Sequence, residues 1–256
     1  FELEKNEGVI SEILPRTNHM LRQSVKRTGH ASVLAANIDQ VLVMATLKQP
    51  RTSLGFIDRV LVSAESFRIP QIILFNKKDL LTDGETADLE KVIAIYENIG
   101  IKTAFISAQQ DESVDEVEMI LAHKVTLIAG HSGVGKSTLL NRLSANFNQS
   151  TGAISGYSEK GTHTTTFAEM LTVNSTTYII DTPGIKEWGL VDMDQQEISD
   201  YFPEMRQLRL SCKFGSRCLH TNEPRCAIKE AVESGLIAPS RYSSYLSMVS
   251  GEDNRK

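Results

Sequence analysis

The sequence VTLIAGHSGVGKS spans residues 125–137 and decides the fold of this chain. The apolar run Val125–Ala129 predicts a strand, and residues 130–137 match the Gly-x4-Gly-Lys-Ser/Thr phosphate-loop pattern without exception. The glycines let backbone N–H groups point at phosphates, and the helix predicted over 136–145 adds the positive end of its dipole. Because strand, loop and helix follow in the required order, a phosphate site is favoured over a ligand-free turn. The predicted nucleotide contacts in this segment are Gly130, Ser132, Gly133, Val134, Gly135, Lys136, Ser137 and Thr138.

A magnesium site is predicted from this loop and from a second strand. Lys136 would neutralise the β and γ oxygens of the nucleotide, and the hydroxyl of Ser137 would bind Mg²⁺. Asp181 follows an apolar strand predicted over 177–180 and begins the sequence Asp-Thr-Pro-Gly. Such an aspartate holds Mg²⁺ through a water, and the N–H of Gly184 is placed to sense the γ-phosphate. Alone, the sequence Asp-Thr-Pro-Gly would indicate only an ordinary turn. The preceding strand and the phosphate loop make it evidence for a magnesium site.

A guanine-reading site is predicted ahead of the phosphate loop. An Asn-Lys-Lys-Asp tetrapeptide that starts at Asn76 follows one apolar strand, and Ser107-Ala108 follows the next. The carboxylate of Asp79 can accept both donors on the edge of guanine, a pair that adenine lacks. Asn76 would tie this loop to the phosphate loop, and the stem of Lys77 would lie along the base. The backbone at Ser107 and Ala108 would contact the guanine carbonyl. The predicted ligand is therefore GTP or GDP, which disfavours an ATP-dependent small-molecule kinase.

The order of these motifs is rotated. In an ordinary Ras-like GTPase the phosphate loop comes first and the base-reading motifs close the domain. Here the base-reading motifs come first. Predicted strands at 40–47, 72–75, 103–106 and 125–129 alternate with helices, which indicates a parallel α/β sheet. A final pair, 167–173 and 177–180, is predicted to be antiparallel. The predicted fold is thus a circularly permuted Ras-like P-loop GTPase domain.

The segment after residue 190 is predicted to be helical, with a cysteine-bearing insert. Asp194 and Glu197 have capping-box spacing, and a last helix is predicted to begin near Ser240, just after Pro239. Trp188 is interpreted as a packing anchor rather than a ligand contact.

Three cysteines and one histidine form a metal-ligand pattern. Cys212-x5-Cys218-x-His220-x5-Cys226 offers three thiolates and one imidazole, a full tetrahedral set with no open position. An odd cysteine count in a tight cluster favours a metal over disulfides. One structural Zn²⁺ is therefore predicted, and unligated buried thiols are the alternative.

Composition and charge limit the classes of protein to which this chain can belong. The chain has 256 residues, a hydrophobic content of 41% and a net charge of −5, which argue for a folded protein that is not wholly basic. Residues 13–30 carry four basic residues and no acid, and residues 205–229 carry six basic residues and one acid. Such stretches suit phosphate contacts, although the first also fits a solvated barrel edge. No apolar run has membrane-spanning length, so no membrane partner is expected. No signal peptide is visible and the cysteines are clustered, so we expect a cytoplasmic protein. The first residue, Phe1, stands within a β-like segment, which predicts missing residues before it.

The motifs together resemble one known family. Gly161-x-His163-Thr164-Thr165-Thr166, added to the motifs above and the Cys/His cluster, is similar to the RsgA (YjeQ) family of circularly permuted GTPases. The resemblance implies the rear part of an OB-fold over 1–36, a permuted GTPase domain over 37–190 and a helical zinc-binding domain over 191–256. It also implies a monomer that binds the small ribosomal subunit and its rRNA and assists its late maturation. The family usually has one residue fewer between its first two cysteines.

The hydrolytic machinery is predicted to be unusual. Ile185 stands where Ras-like enzymes carry a water-orienting glutamine, and an aliphatic side chain cannot orient water. His163 is the candidate to do so, unless it only packs within its loop, and Lys136 would share the catalytic work. Thr165 is placed among the nucleotide contacts, although Thr164 or Thr166 would serve equally. Slow turnover keeps a second function open, a GTP-dependent regulatory switch that binds RNA or protein. The rotation also places the switch at 181–184 beside the C-terminal domain, which suggests that the γ-phosphate signals to it.

Overall fold

The computed structural model describes residues 2–4, 7–10, 12–23, 31–151, 168–182, 188–191 and 193–251. Four short strands come first: β1 Glu2–Glu4, β2 Glu7–Val9, β3 His19–Gln23 and β4 Ala31–Ala36. They form two antiparallel pairs, β1 with β2 and β3 with β4. The side chain of Asn18 donates to the carbonyl of Ile38 at 2.8 Å and accepts from its N–H at 2.9 Å. These two bonds fasten the strand region to the sheet that follows.

A six-stranded sheet forms the centre of the molecule. Its strands are β5 Gln40–Ala45, β6 Gln71–Phe75, β7 Lys102–Phe105, β8 Val125–Ala129, β9 Glu169–Asn174 and β10 Thr177–Asp181. Their spatial order is β7-β6-β5-β8-β10-β9, and only β9 runs antiparallel to its neighbour. The strand before the phosphate loop therefore lies between the base-reading strands and the strand that ends in Asp181. The predicted parallel sheet with an antiparallel final pair is confirmed.

Helices cover both faces of this sheet, which explains its continuous apolar strands. They are α1 Leu54–Glu65, α2 Asp83–Glu97, α3 Asp111–Leu121 and α4 Lys136–Thr151. The first two pack in one core cluster, with Leu61 and Tyr96, and the last two in a second, with Leu121 and Leu140. Ser53 caps α1, and Thr82 forms a reciprocal capping box at the start of α2. Within the described residues, no helix has both the length and the apolar composition to cross a bilayer.

The C-terminal region is built from short helices. They are α5 Gln195–Ile198, α6 Pro203–Arg206, α7 Ala227–Glu233 and α8 Pro239–Ser250. The predicted last helix is confirmed, with Pro239 in its first turn. The capping box predicted at Asp194 is wrong, because the side chain makes no capping hydrogen bond. Instead the N–H of Glu197 donates to the carbonyl of Asp194 at 2.9 Å, so the backbone already satisfies the donor that the carboxylate was expected to cap.

A buried ion network joins this region to the sheet domain. The guanidinium of Arg241 on α8 donates to Asp58 on α1 at 2.6 Å and to Glu204 on α6 at 2.7 Å. The hydroxyl of Tyr96 donates to the same Asp58 oxygen at 2.9 Å. The ring of Phe202 lies 4.5 Å from the guanidinium carbon. Because Arg241 is only 2% exposed and has two acidic partners, breaking either pair would strand a buried charge.

Candidate nucleotide and metal sites

The predicted nucleotide motifs meet at one edge of the sheet. β6 ends directly before Asn76, β8 directly before Gly130, and β10 ends in Asp181. Parallel strands present their carboxyl ends at the same edge, where α/β proteins bind ligands. Ser107 follows β7 after one intervening residue, so the four loops share that edge although they are far apart in sequence.

Two glycines of the phosphate loop leave no room for a side chain. A Cβ on Gly130 would lie 2.6 Å from the carbonyl oxygen of Met44 in β5. A Cβ on Gly135 would overlap the amide nitrogen of Asn76, and the backbone there has a φ of +103°. The phosphate loop can therefore approach its neighbours this closely only because the motif has glycine at these two positions.

Asn76 ties the base-reading loops to the phosphate loop. Its side-chain amide donates to the carbonyl of Val134 at 2.8 Å, and its oxygen accepts from the N–H of Ala108 at 2.8 Å. The side chain is 3% exposed, so both bonds are shielded from water. One side chain thus fixes the distance between three loops, which is the link that the sequence predicted for this residue.

Lys136 lies inside the phosphate loop at the start of α4. Its ammonium donates to the carbonyls of Gly130 at 2.5 Å and His131 at 3.3 Å. Burial lowers the pKa of Lys136, and the nearby carboxylate of Asp181 partly opposes that shift. An anion at the loop would relieve the same desolvation, because it adds an opposite charge. Ser137 is exposed in the first turn of the helix, where its hydroxyl is accessible.

The residues predicted to read guanine lie beside this loop. Asp79 is exposed in a short 3₁₀ turn after β6, with its carboxylate accessible to a ligand. Lys77 has a left-handed backbone with φ 68°, and its ammonium donates to the carbonyl of Gln49. Ser107 and Ala108 are buried, so their contribution to a ligand would come from the backbone.

The loop from Thr46 to Thr52 was not predicted from the sequence, because the apolar run predicted that β5 continues to residue 47. The strand ends at Ala45. The N–H of Thr52 then donates to the carbonyl of Thr46 at 2.9 Å and closes the loop. A Cβ on Gly133 would lie 3.4 Å from Cδ of Pro50, so this loop packs on the phosphate loop. The available signal was Pro50 followed by the helix-capping Ser53, a turn pattern directly after an apolar strand.

Several predicted residues lie outside the described residues. They are the catalytic candidate His163, the threonines Thr164, Thr165 and Thr166, the switch glycine Gly184 and Ile185. Of the predicted switch, Asp181 and Thr182 are described. The hydroxyl of Thr182 donates to the carbonyl of Ile128 in β8 at 2.8 Å. That bond fastens the start of the switch to the strand that carries the phosphate loop.

The four predicted metal ligands meet in a buried cluster. One ligand atom from each of Cys212, Cys218, His220 and Cys226 lies within 4.8 Å of the other three. The sulfurs of Cys212 and Cys226 are 3.8 Å apart, and Nδ1 of His220 lies 3.5 and 3.4 Å from them. A tetrahedral zinc with ordinary bond lengths separates its ligands by roughly 3.5–3.8 Å, whereas a disulfide brings its sulfurs to about 2 Å. The cluster therefore fits zinc and excludes a disulfide between those two cysteines.

Burial shifts the pKa values of the metal-ligand side chains towards their neutral forms. Burial, together with the neighbouring thiols, raises the pKa of Cys218 to about 12. Burial lowers the pKa of His220 to about 4, which leaves its imidazole neutral at pH 7. The thiols would be protonated without a metal, and zinc binding would displace those protons. The hydroxyls of Tyr242 and Tyr245 in α8 donate to the carbonyls of His220 and Leu219 at 2.6 and 2.8 Å and brace the ligand loop.

Most of the basic side chains of residues 205–229 fall into two groups in the structure, those that pair with acids of the chain and those that are exposed. Arg206 donates to Glu65, and Arg209 lies 3.2 Å from Asp200, so two of the six cations are engaged within the chain. Three others, Lys213, Arg217 and Arg225, are exposed around the metal cluster. The single acid, Glu223, accepts from the N–H groups of Leu219 and Thr221 at 2.8 Å each. Burial alone would raise the pKa of Glu223, but these backbone donors lower it.

Known proteins resemble this chain over nearly all of its length. A family model described as RsgA GTPase matches residues 13–191. Small ribosomal subunit biogenesis GTPase RsgA of Cytophaga hutchinsonii is 46% identical over 254 residues, which cover 99% of this chain and 82% of that protein. The RsgA 2 protein of Bacteroides thetaiotaomicron is 44% identical over 253 residues, with 99% and 81% coverage.

Two solved structures share the fold. YjeQ from Thermotoga maritima aligns with a TM-score of 0.74 at 32% sequence identity and covers 96% of this chain and 79% of that one. YloQ, described as a circularly permuted GTPase, aligns with a TM-score of 0.69 at 29% identity, with 96% and 83% coverage. The rotated motif order is therefore matched by solved structures.

Proposed function

This chain belongs to the RsgA GTPase family, and we propose from that membership which of its residues bind GTP, Mg²⁺, zinc and the ribosome. It is a GTPase of small ribosomal subunit maturation, the activity that its relatives are named for. The observation that carries the residue-level proposal is the double hydrogen bond of Asn76. It holds the loop that would read guanine at a set distance from the loop that would bind phosphate.

Guanine is read by Asp79, and the phosphates are held by the backbone of 130–137 with Lys136. The exposed carboxylate of Asp79 is placed one turn after Asn76, which supports a bidentate contact with guanine. Ser137 and Asp181 would hold Mg²⁺, which neutralises phosphate charge during hydrolysis. The predicted contacts at Thr165 and Gly184 remain part of this proposal.

Replacing Asp79 tests the base site. Asp79→Asn removes a charge-assisted pair of hydrogen bonds, so GTP affinity should fall about 10²-fold or more. Xanthosine nucleotides, which carry an oxygen where guanine has its amine, should bind the variant better than GTP does. ATP should compete poorly with GTP for the unaltered protein. Equal competition by ATP would refute guanine selectivity, and unchanged GTP affinity in Asp79→Asn would remove Asp79 from the site.

His163 is proposed to orient the attacking water. The support is chemical, since Ile185 cannot do so and a neutral imidazole can accept a hydrogen bond from water. His163→Ala should lower GTP turnover in the presence of small subunits and leave nucleotide affinity nearly intact. Unchanged stimulated turnover would show that His163 only packs within its loop.

One structural zinc is proposed at Cys212, Cys218, His220 and Cys226. The support is the match between the ligand separations and a closed tetrahedral site. A closed site leaves no position for substrate, so this zinc would maintain the fold of the C-terminal region. The extra residue between the first two cysteines lies in the loop around Gly215, which does not disturb the cluster.

The exposed side of the zinc region is proposed to contact rRNA. Lys213, Arg217 and Arg225 offer charge, and Phe214 is 40% exposed with the Lys213 ammonium 5.3 Å from its ring centre. Cations beside an exposed aromatic ring suit a phosphate backbone with an unstacked base. Glu223, the acid of this segment, is turned inward to the backbone N–H groups of its own loop.

Charge variants test this surface on isolated small subunits. Arg217→Gln with Arg225→Gln should weaken binding and reduce the slope of log affinity against log salt by roughly two, about one for each lost phosphate contact. Phe214→Ala should lower affinity by about tenfold with an unchanged salt slope. The matched control is Lys102→Gln, an exposed lysine on the edge strand β7, which should leave both quantities unaltered. Equal effects from the control would place the contact elsewhere.

The remaining assignments follow the family architecture. We propose an OB-fold remnant over 1–36, a permuted GTPase domain over 37–190 and a zinc-binding domain over 191–256, in a cytoplasmic monomer without a membrane partner. The second candidate function is a slow GTP-dependent switch that binds RNA or protein, and Ile185 supports it. Acceleration of hydrolysis by small subunits separates the two.

A further inference from the structure

Helix α1 is buried on opposite sides by two different parts of the molecule. Ile57, Leu61 and Ala64 lie one helical turn apart and belong to the core beneath the sheet. Val62 belongs instead to the core of the C-terminal region, and Asp58, one turn before it, binds Arg241 of α8. Eight of the twelve residues of α1 are buried, with Asp58 and Ser63 among them, so the helix is enclosed rather than superficial. The helix is therefore shared by the GTPase sheet and the zinc-bearing region.

The first turn of α1 also touches the nucleotide loops. The ring of Phe56 lies 4.0 Å from the imidazole of His131 in the phosphate loop, with the planes tilted by 35°. Phe56 is 4% exposed, so this contact is enclosed. The loop that leads into α1 packs Pro50 beside Gly133 and accepts a hydrogen bond from Lys77 through the carbonyl of Gln49. Both the phosphate loop and the base-reading loop thus rest on the same segment.

Close packing makes the helix a stiff connector between these contacts. Phe56 and Asp58 are two residues apart, so they project from nearly opposite sides of the helix. A packed interior transmits a displacement instead of absorbing it. A change in the phosphate loop that shifts Phe56 must shift α1, and with it Asp58 and Val62 against α8. By linkage, the docking of α8 must affect the loop to the same extent.

We propose that Phe56 is a positioning residue for the phosphate loop and that α1 couples nucleotide binding to the docking of α8. The proposal rests on the GTP binding argued above. It gives a route to the zinc-bearing region that runs through α1 rather than through the switch at 181–184. The coupling is reciprocal: nucleotide stabilises α8 against α1, and the docked α8 slows nucleotide release.

Two variants perturb this coupling separately, one at the phosphate loop and one at the contact with α8. Phe56→Leu keeps an apolar side chain and removes the ring that faces His131. Asp58→Asn keeps the shape and removes the charge that faces Arg241, far from the phosphates. The matched control is Arg68→Gln, which breaks a 2.8 Å ion pair to Asp200 between the same two regions. It also breaks a 2.6 Å pair to Glu65 in the last turn of α1, at the opposite end of the helix from Phe56. Val62→Ala trims the same face as Asp58 and serves if Asp58→Asn does not fold.

The readouts are the dissociation rate of a fluorescent GDP and the hydrogen exchange of α8 amides with and without GDP. In the unaltered protein GDP should slow exchange across Pro239–Ser250. Asp58→Asn, or Val62→Ala, should raise the GDP dissociation rate about fivefold or more, within the usual range of allosteric coupling. Phe56→Leu should abolish the GDP effect on α8, and Arg68→Gln should behave as the unaltered protein does.

The outcomes that overturn the inference are distinct from failure of GTP binding. Unaltered GDP dissociation in both Asp58→Asn and Val62→Ala, or a GDP effect on α8 that survives in Phe56→Leu, refutes the coupling while GTP binding stands. An equal rise in Arg68→Gln would show general loosening of the interface and would also refute it. Failure of the unaltered protein to bind guanine nucleotides would refute the proposed function and the coupling together.

Discussion

Replacing Gly135 by Ala should break the link between the phosphate loop and the base-reading loops. The new Cβ would overlap the side-chain amide of Asn76, in a backbone conformation with φ +103° that side chains rarely adopt. Asn76 would have to move, and its bonds to Val134 and Ala108 would be lost. Gly133→Ala is the matched control, because its φ is +84° but its Cβ would meet Pro50 at an ordinary 3.4 Å.

The expected magnitude follows from these contacts. A non-glycine residue at such a φ costs on the order of 1–3 kcal/mol, and both variants bear that cost. Only Gly135→Ala also leaves a buried carbonyl and a buried N–H without a partner, at about 1.5 kcal/mol each. The free energy of unfolding should therefore fall by about 3 kcal/mol more in Gly135→Ala than in Gly133→Ala. Asn76→Ala should cost a similar 3 kcal/mol by the same reasoning.

The assay is urea unfolding followed by tryptophan fluorescence. Trp188 is the single tryptophan of the chain, it is 5% exposed, and its indole N–H donates to the hydroxyl of Ser63. The double variant Gly135→Ala/Asn76→Ala should be about 3 kcal/mol more stable than the sum of the single effects predicts, since the clash needs both side chains. Equal destabilisation of Gly133→Ala and Gly135→Ala would refute the reasoning. So would a cycle that is additive within about 0.5 kcal/mol.

Two further predictions concern the metal cluster and the acid side of the pH range. Cys226→Ser should abolish stoichiometric zinc, as measured by metal analysis, and should make residues 193–251 sensitive to protease. The control Ser216→Ala, in the same loop, should retain one zinc. Retained zinc in Cys226→Ser would contradict a four-ligand site. The ammonium of Lys48, and then the N–H of Thr82, lower the pKa of Glu85 from 4.5 to about 2. The stability that this carboxylate contributes is therefore present above pH 4.5 and is lost as the pH falls from 4.5 towards 2. Lys48→Met should flatten that part of the urea-midpoint profile, and an unchanged slope would show that the pair contributes nothing.

Strands were the part of the fold that the sequence predicted best. Val125–Ala129 matches the predicted strand at both ends, because a continuous apolar run between polar turns is a local signal. The phosphate loop was predictable for a similar reason, because its glycines, lysine and serine form a contiguous pattern directly after that strand. The metal ligands lie within fifteen residues of one another, so their meeting required no knowledge of distant contacts.

Features that depend on distant partners were not predictable. Arg241 lies in a polar stretch that reads as surface, yet it is buried against Asp58, 183 positions earlier in the chain. Arg206 and Arg209 belong to the basic stretch that was predicted to suit rRNA phosphates, and only the fold shows their acidic partners. The capping spacing at Asp194 was correct, but the backbone had already satisfied the donor. For the three arginines, tertiary packing decided between alternatives that local sequence left equal, whereas at Asp194 a hydrogen bond within the backbone did so.

The most direct test of the account is GTP turnover with and without purified small ribosomal subunits, at low and high salt. The account predicts that subunits accelerate hydrolysis at low salt and that added salt weakens the effect, because basic side chains would contact rRNA phosphates. Absence of any acceleration at low salt, with subunits bound, would contradict a subunit-stimulated GTPase and would favour the slow regulatory switch.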